Sequence, residues 1–283
     1  MLFRSMAVLL ALLTAVTYGT ADYFGGRATR HHPAIVVTFV GQIAGMLILL
    51  VAALTSGIGA PGAADWGWSA LAGLAGSTGL LAFYTAMSSG HMTVVAPITA
   101  VLNASIPLAV GLVTGERPAA LALAGVVLAL VAIALISDVL GPGHHRAPGR
   151  VVLLGAAGGT AFGFILVFLH QTGEGTGVWP VLIMRFVSTP FVAVLILAMR
   201  PSFGGLMSRR TLVLGSGILD SLANWFYVLA VREGLLSVVS VIVTLYPAAT
   251  MVLAVSIDRE RIHSAQMLGM VLAGAALTMI VLA

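Results

Sequence analysis

The chain has 283 residues, of which 60% are hydrophobic and only 8% charged, and its mean hydropathy is +1.11. No soluble core of that length needs so much apolar surface, so the composition excludes a soluble globular protein and sets nearly every residue against lipid or another helix. The net charge of +4 is carried by arginine without a single lysine, and there is no cysteine. Arginines at segment ends read as topology signals and headgroup contacts rather than as a nucleic-acid surface. The missing cysteines exclude disulfides, thiolate metal sites and cysteine nucleophiles.

Backbone groups in hydrocarbon must be satisfied internally, which leaves helices or a closed barrel. Apolar runs such as Leu121–Ile136 and Val181–Met199 lack the alternation of barrel strands, so the expectation is all-α. Breaks at polar, Gly/Pro and charged clusters divide the chain into ten candidate spans. The first five are 5–26, 34–55, 67–89, 93–114 and 118–139; the second five are 151–171, 178–199, 211–231, 235–257 and 264–283. The first, with Arg4 ahead of an apolar run and small residues at Gly19-Thr20-Ala21, has the look of a cleaved leader, but its repeat partner in the sixth span argues for retention. Trp66, Trp68 and Trp179 stand near span starts as interfacial anchors. Gly41-x-x-x-Gly45 and Gly111-x-x-x-Gly115 fit close helix packing within the bundle.

The chain repeats itself at an offset of 144 residues: Gly90 matches Gly234, Glu116-Arg117 matches Glu260-Arg261, Gly125 matches Gly269, and Tyr18-Gly19 matches Phe162-Gly163. The expected domains are a first five-helix repeat at 1–140, a linker at 141–150 and a second repeat at 151–283. An odd number of spans per repeat makes the second enter the membrane from the opposite face, giving inverted-topology repeats around a shared central cavity. Loops after spans 1, 5, 7 and 9 carry nine arginines, whereas the N-terminus and the loops after spans 4 and 8 carry only Arg4, Arg117 and Arg232. The positive-inside rule then puts both termini outside.

Each half has a proline-containing helix, then a glutamate at a loop, then a helix with an early glycine: Pro107, Glu116 and Gly125, then Pro247, Glu260 and Gly269. Together with Gly19 and Gly163 in their aromatic-Gly pairs, this order resembles the drug/metabolite transporter superfamily, of the ten-helix EamA-repeat kind, over essentially the whole chain. The resemblance implies a ten-helix basket whose central cavity opens alternately to either side, exporting amino acids, other metabolites or drugs. It also implies a bacterial plasma membrane as the location. One departure is visible: Asn103 stands where the second half has Pro247.

A charged group inside a span costs about 2.5–3.5 kcal/mol on insertion scales, so intramembrane polar residues mark candidate sites. Thr14, Tyr18 and Asp22 share one helix face, as do Asp220, Asn224 and Tyr227. Their repeat partners are apolar or tiny: Gly158, Phe162 and Leu166, and Gly76, Leu80 and Phe83. One reading lines the cavity with these stripes and makes Asp220 and Asp22 candidates for proton coupling. The other gives Asp220 a bond between helices or a buried arginine partner, and Asp22 an interfacial pair with Arg27. Arg185 either holds a substrate carboxylate or phosphate or pairs with Asp220 or Asp22. Breaks at Pro97 and Pro107, then Pro247, either free carbonyls for a cavity near Thr99, Asn103 and Tyr246 or merely kink helices. Glu116 and Glu260 either cap the helices that follow them or take part in ion coupling.

His31-His32 and His144-His145 lack further ligands, and no phosphate loop, dinucleotide turn or catalytic triad is present, so neither cofactor nor metal is expected. The expected partners are a small-molecule solute and membrane lipids; oligomeric state stays open. The leading function is a secondary transporter driven by protons or exchange. The alternatives are a non-catalytic scaffold and a lipid enzyme, the latter lacking clustered His, Asp or Glu at an interface.

Overall fold

The structure is a computed structural model describing residues 2–87, 92–137, 148–205, 209–259 and 263–283. Glu260, His144 and His145 lie outside the described residues. The described chain is helical: α1 (Leu2–Thr29), α2 (Ala34–Thr55), α3 (Ala63–Met87), α4 (Met92–Val113), α5 (Ala120–Ile136), α6 (Gly149–His170), α7 (Trp179–Met199), α8 (Arg210–Glu233), α9 (Leu236–Val243), α10 (Tyr246–Asp258) and α11 (Ser264–Leu282). Prolines set several boundaries, since they lack an N–H and restrict the residue before them. Pro33 and Pro148 stand immediately before α2 and α6. Arg200 ends α7 in the left-handed region just ahead of Pro201.

Among the described residues, eight helical stretches are long and apolar enough to cross a bilayer, counting Leu236–Asp258 as one, and Ala120–Ile136 is a shorter apolar helix. Large apolar side chains such as Leu9, Leu54, Leu197, Val271 and Leu282 lie on the surface, as lipid contact requires.

The expected ninth span is not one helix. Thr244 and Leu245 interrupt it, and Pro247 falls in the first turn of α10, where a missing N–H costs nothing. The corresponding stretch of the first repeat behaves differently: α4 runs unbroken through Asn103 and Pro107. The paired interruption expected from the prolines is therefore present in the second repeat only. The residue at the equivalent of Pro247 is Asn103.

The two repeats interlock rather than stand side by side. α1 packs chiefly on α8 and α6 on α3; α2 crosses α8, α7 crosses α3, and α5 lies along α11. Small residues allow these crossings. A Cβ on Gly41 would sit 3.1 Å from the Gly217 Cα, and one on Gly73 would sit 2.6 Å from the Met184 carbonyl. Gly73 and Gly217 are repeat equivalents, so the α3–α7 and α2–α8 crossings rest on the same device. Gly41-x-x-x-Gly45 thus packs within the bundle. Gly111-x-x-x-Gly115 does not: Gly115 is in a turn at φ 105°, and Gly111 leaves room for the Glu116 carboxylate.

Gly217→Val should cost about 1–3 kcal/mol through overpacking against Gly41. The measurement is the unfolding temperature in detergent, with Gly62→Val, which meets open space, as a neutral comparison. Equal unfolding temperatures for the two variants would refute the close crossing.

Candidate functional site

A cavity of about 650 Å³ occupies the middle of the bundle, walled by α1, α2, α3, α4, α6, α7, α8 and the α9–α10 junction. Its lining extends to Gly26 and Thr29 at the end of α1 and to Ala34 at the start of α2, so it runs toward that end of the bundle. Within it the polarity is one-sided. α1, α7 and α8 contribute Tyr18, Asp22, Arg185, Asp220 and Asn224, whereas α3 and α6 contribute Gly76, Leu80, Phe83, Phe162, Ile165 and Leu166. Phe83 and Phe162 meet with ring centroids 6.1 Å apart.

Arg185, one turn and a half into α7, is buried, and its guanidinium donates a charge-assisted hydrogen bond to the Asp220 carboxylate on α8. The side chain of Asp220 remains 40% exposed and that of Arg185 only 7%. What the pair presents to the cavity is therefore mainly carboxylate. Asp22 is exposed and has no hydrogen bond or ion pair among the described residues. The expected partner Arg27 instead lies 3.6 Å from Asp258 and donates to the Tyr23 hydroxyl. Tyr18 and Tyr246 tilt against each other with centroids 6.0 Å apart. Asn224 donates to the Asp220 backbone carbonyl at 2.8 Å, and Asn103 lines the cavity from α4.

Two expected lining residues stand outside this wall. Thr99 donates to the Gly155 carbonyl at 3.0 Å and ties α4 to α6. Tyr227 is fully buried and its hydroxyl donates to the Leu166 carbonyl at 2.7 Å. A helix face spans about 100° or more, and tertiary packing decides which part of it meets open space. Gly19 and Gly163 make equivalent close approaches, Gly19 to α10 at Tyr246 and Ala249 and Gly163 to α4 at Asn103 and Ile106.

Sequence reasoning overlooked Gln42, Ser188 and Thr244, all in the lining. Gln42 is the one amide within α2 and was visible as such, while the two hydroxyls carry no signal, since serine and threonine in a helix can bond to its own carbonyls and so mark no site. Gln42 Oε1, Ser188 Oγ and Arg185 Nε are buried with no partner among the described residues. Among the described residues no group of three or more His, Cys, Asp or Glu could hold a metal ion.

The opposite end of the bundle is laced shut. Glu116 accepts from the backbone N–H groups of Leu236 at 2.7 Å and Ser237 at 2.8 Å. It thus caps α9 of the other repeat and not α5, the helix that follows it. Its charge meets the positive end of the α9 dipole. Arg232 donates to the Gly173 carbonyl and the Thr176 hydroxyl, Asp65 accepts from the Gly173 N–H, and the Trp179 indole donates to the Ile58 carbonyl.

The profile of the EamA-like transporter family matches residues 5–138 and again 149–282. No curated protein matches the sequence significantly. A solved chain, described only as the crystal structure of a protein, superposes with a TM-score of 0.75 over 98% of this chain and 97% of its own, at 18% identity. At that identity the likeness speaks to the fold alone.

Two outcomes follow from this geometry. Asp220→Asn removes the counter-charge of a buried guanidinium and should lower stability, by less than the about 3–5 kcal/mol of a fully buried pair because Asp220 is 40% exposed; adding Arg185→Met should restore most of it in denaturant titrations. Glu116→Ala removes hydrogen bonds to a charged acceptor worth about 1.5–3 kcal/mol each. In this cysteine-free chain, a single Ser237→Cys reporter should then react with an impermeant maleimide at least tenfold faster, and an unchanged rate would contradict the seal.

Proposed function

Because the chain belongs to the EamA-like transporter family, we propose that it is a secondary active transporter that exports a small polar or amphipathic metabolite by alternating access. The observation that carries this reading is the central cavity, charged on one wall, reaching toward one end of the bundle while the other end is held closed by cross-repeat hydrogen bonds. Such an arrangement is one of the two facing states that alternating access requires. A scaffold subunit has no use for an unpaired carboxylate in a cavity at the centre of ten helical segments.

Ten spans in two inverted repeats account for the helices, with α9 and α10 forming one interrupted span. Supporting the inversion, α1 begins beside Gly234, near the closed end, while α6 begins beside Val95 at the start of α4. Arginines 27, 30, 200, 209, 210 and 259 cluster toward the open end, so the positive-inside rule puts the opening in the cytoplasm and both termini outside. Because the repeats interlock, the moving bodies are mixed. One comprises α1, α2 and α8; the other comprises α3, α6 and α7; α5 and α11 form a peripheral pair.

Energy coupling falls to Asp22. Asp220 is committed to Arg185, whereas Asp22 is free to take up and release a proton, facing Tyr18 on its own helix, Arg185, Asp220 and Tyr246 across the cavity. In vesicles loaded with a cell extract's small metabolites, an imposed pH gradient should drive their exchange at least tenfold faster than in empty-protein controls. Asp22→Asn should abolish the response to the gradient, read as the ratio of that variant's flux with the gradient to its own flux without it. Gradient-driven flux that survives Asp22→Asn assigns coupling elsewhere, and absence of any flux removes the transporter reading.

A further inference from the structure

The cavity's charges can be summed side chain by side chain, and the sum points to the class of solute. The lining carries two carboxyl groups, Asp22 and Asp220, and one guanidinium, Arg185. Among the described residues the guanidinium is paired with Asp220, and Asp22 has no basic partner. Position sharpens the count. Arg185 is sunk into the wall with 7% of its side chain exposed, while its partner Asp220 keeps 40% exposed toward the cavity. Asp22 on the facing helix is exposed as well. A solute entering from the open end therefore meets carboxylate oxygens on both charged helices, and the one guanidinium is behind them.

The neighbourhood of Asp22 adds a second preference. Tyr18, one helical turn before it, and Tyr246 at the start of α10 hold tilted rings at 6.0 Å beside the same space. Ring faces carry negative potential and attract ammonium groups, more strongly when water is excluded. Across the cavity, Leu80, Phe83, Phe162 and Ile165 offer an apolar wall with no charge. The volume of about 650 Å³ is in the range of pockets that hold a drug-sized molecule.

Resting on the transporter reading above, we infer that the solute is an amphipathic organic cation, with its ammonium held between Asp22 and the Tyr18–Tyr246 pair and its apolar body against α3 and α6. An anion would have to displace Asp220 from Arg185 and lie beside an uncompensated Asp22. The arginines at the rim stand outside the lining, and Arg27 and Arg30 lie 3.6 and 3.7 Å from Asp258.

The test uses four solutes that share a phenyl ring and differ in charge: phenethylamine, phenylalanine, 3-phenylpropionate and 3-phenylpropanol. Binding to the purified full-length protein in detergent is read from the rise in unfolding temperature with concentration. Phenethylamine should bind at least tenfold more tightly than the anion and the alcohol. Asp22→Asn should reduce that preference to within twofold, and Asp22→Glu should keep it, which separates a lost charge from a damaged fold. Equal or tighter binding of the anion or alcohol, failure of the amine to bind, or an undiminished preference in Asp22→Asn would overturn the inference. Counterflow of the anion or alcohol in vesicles without amine binding would sink the cation class and leave transport standing; amine binding without any flux would do the reverse.

Discussion

A charge in hydrocarbon has to find its counter-charge inside the protein, and the Arg185–Asp220 pair is where this molecule meets that demand. The pair joins α7 of the second repeat to α8 at the cavity wall. Arg185, with 7% of its side chain exposed, could not stand alone at that depth, because desolvation of an isolated ion outweighs what packing returns. Once the two are matched, Asp22 is left, among the described residues, as the cavity's one carboxyl group without a basic partner. The depth of Arg185, the exposure of Asp220 and the character of the remaining space follow from one ion pair.

The duplicated architecture gives that pair its setting. Equivalent crossings of small residues, Gly217 with Gly41 and Gly73 with Met184, bring helices of different repeats close together. Glu116 does the same at the closed end by capping a helix 120 residues further along. These contacts cross the repeat boundary, so the fold is held by what the two copies do to each other. Pairs within one repeat, such as α1 with α2, touch far less.

Symmetry of backbone coexists with asymmetry of chemistry. Gly41 is the repeat equivalent of Arg185, Phe162 of Tyr18, Leu166 of Asp22 and Gly76 of Asp220. A pseudo-symmetric frame with unequal walls suits a solute that has a charged end and an apolar end.

The segment pattern, the helical class, the internal repeat and the polar stripes on the first and eighth spans were legible in the residues, because burial in lipid demands long apolar runs and makes each intramembrane charge conspicuous. Family membership was legible too, from motifs in duplicated order. Partners were not. The sequence could offer Arg185 either aspartate and Asp22 either the cavity or Arg27, and only the packed helices decided between them. The same holds for Thr99, expected near a proline break, and Tyr227, expected on a polar helix face, which packing turned into interhelical donors. Glu116 looked like a local cap and serves a distant helix. Local patterning determines which residues cannot face lipid; the rotation and crossing of helices against one another determine whether such a residue meets a partner, a carbonyl or open space.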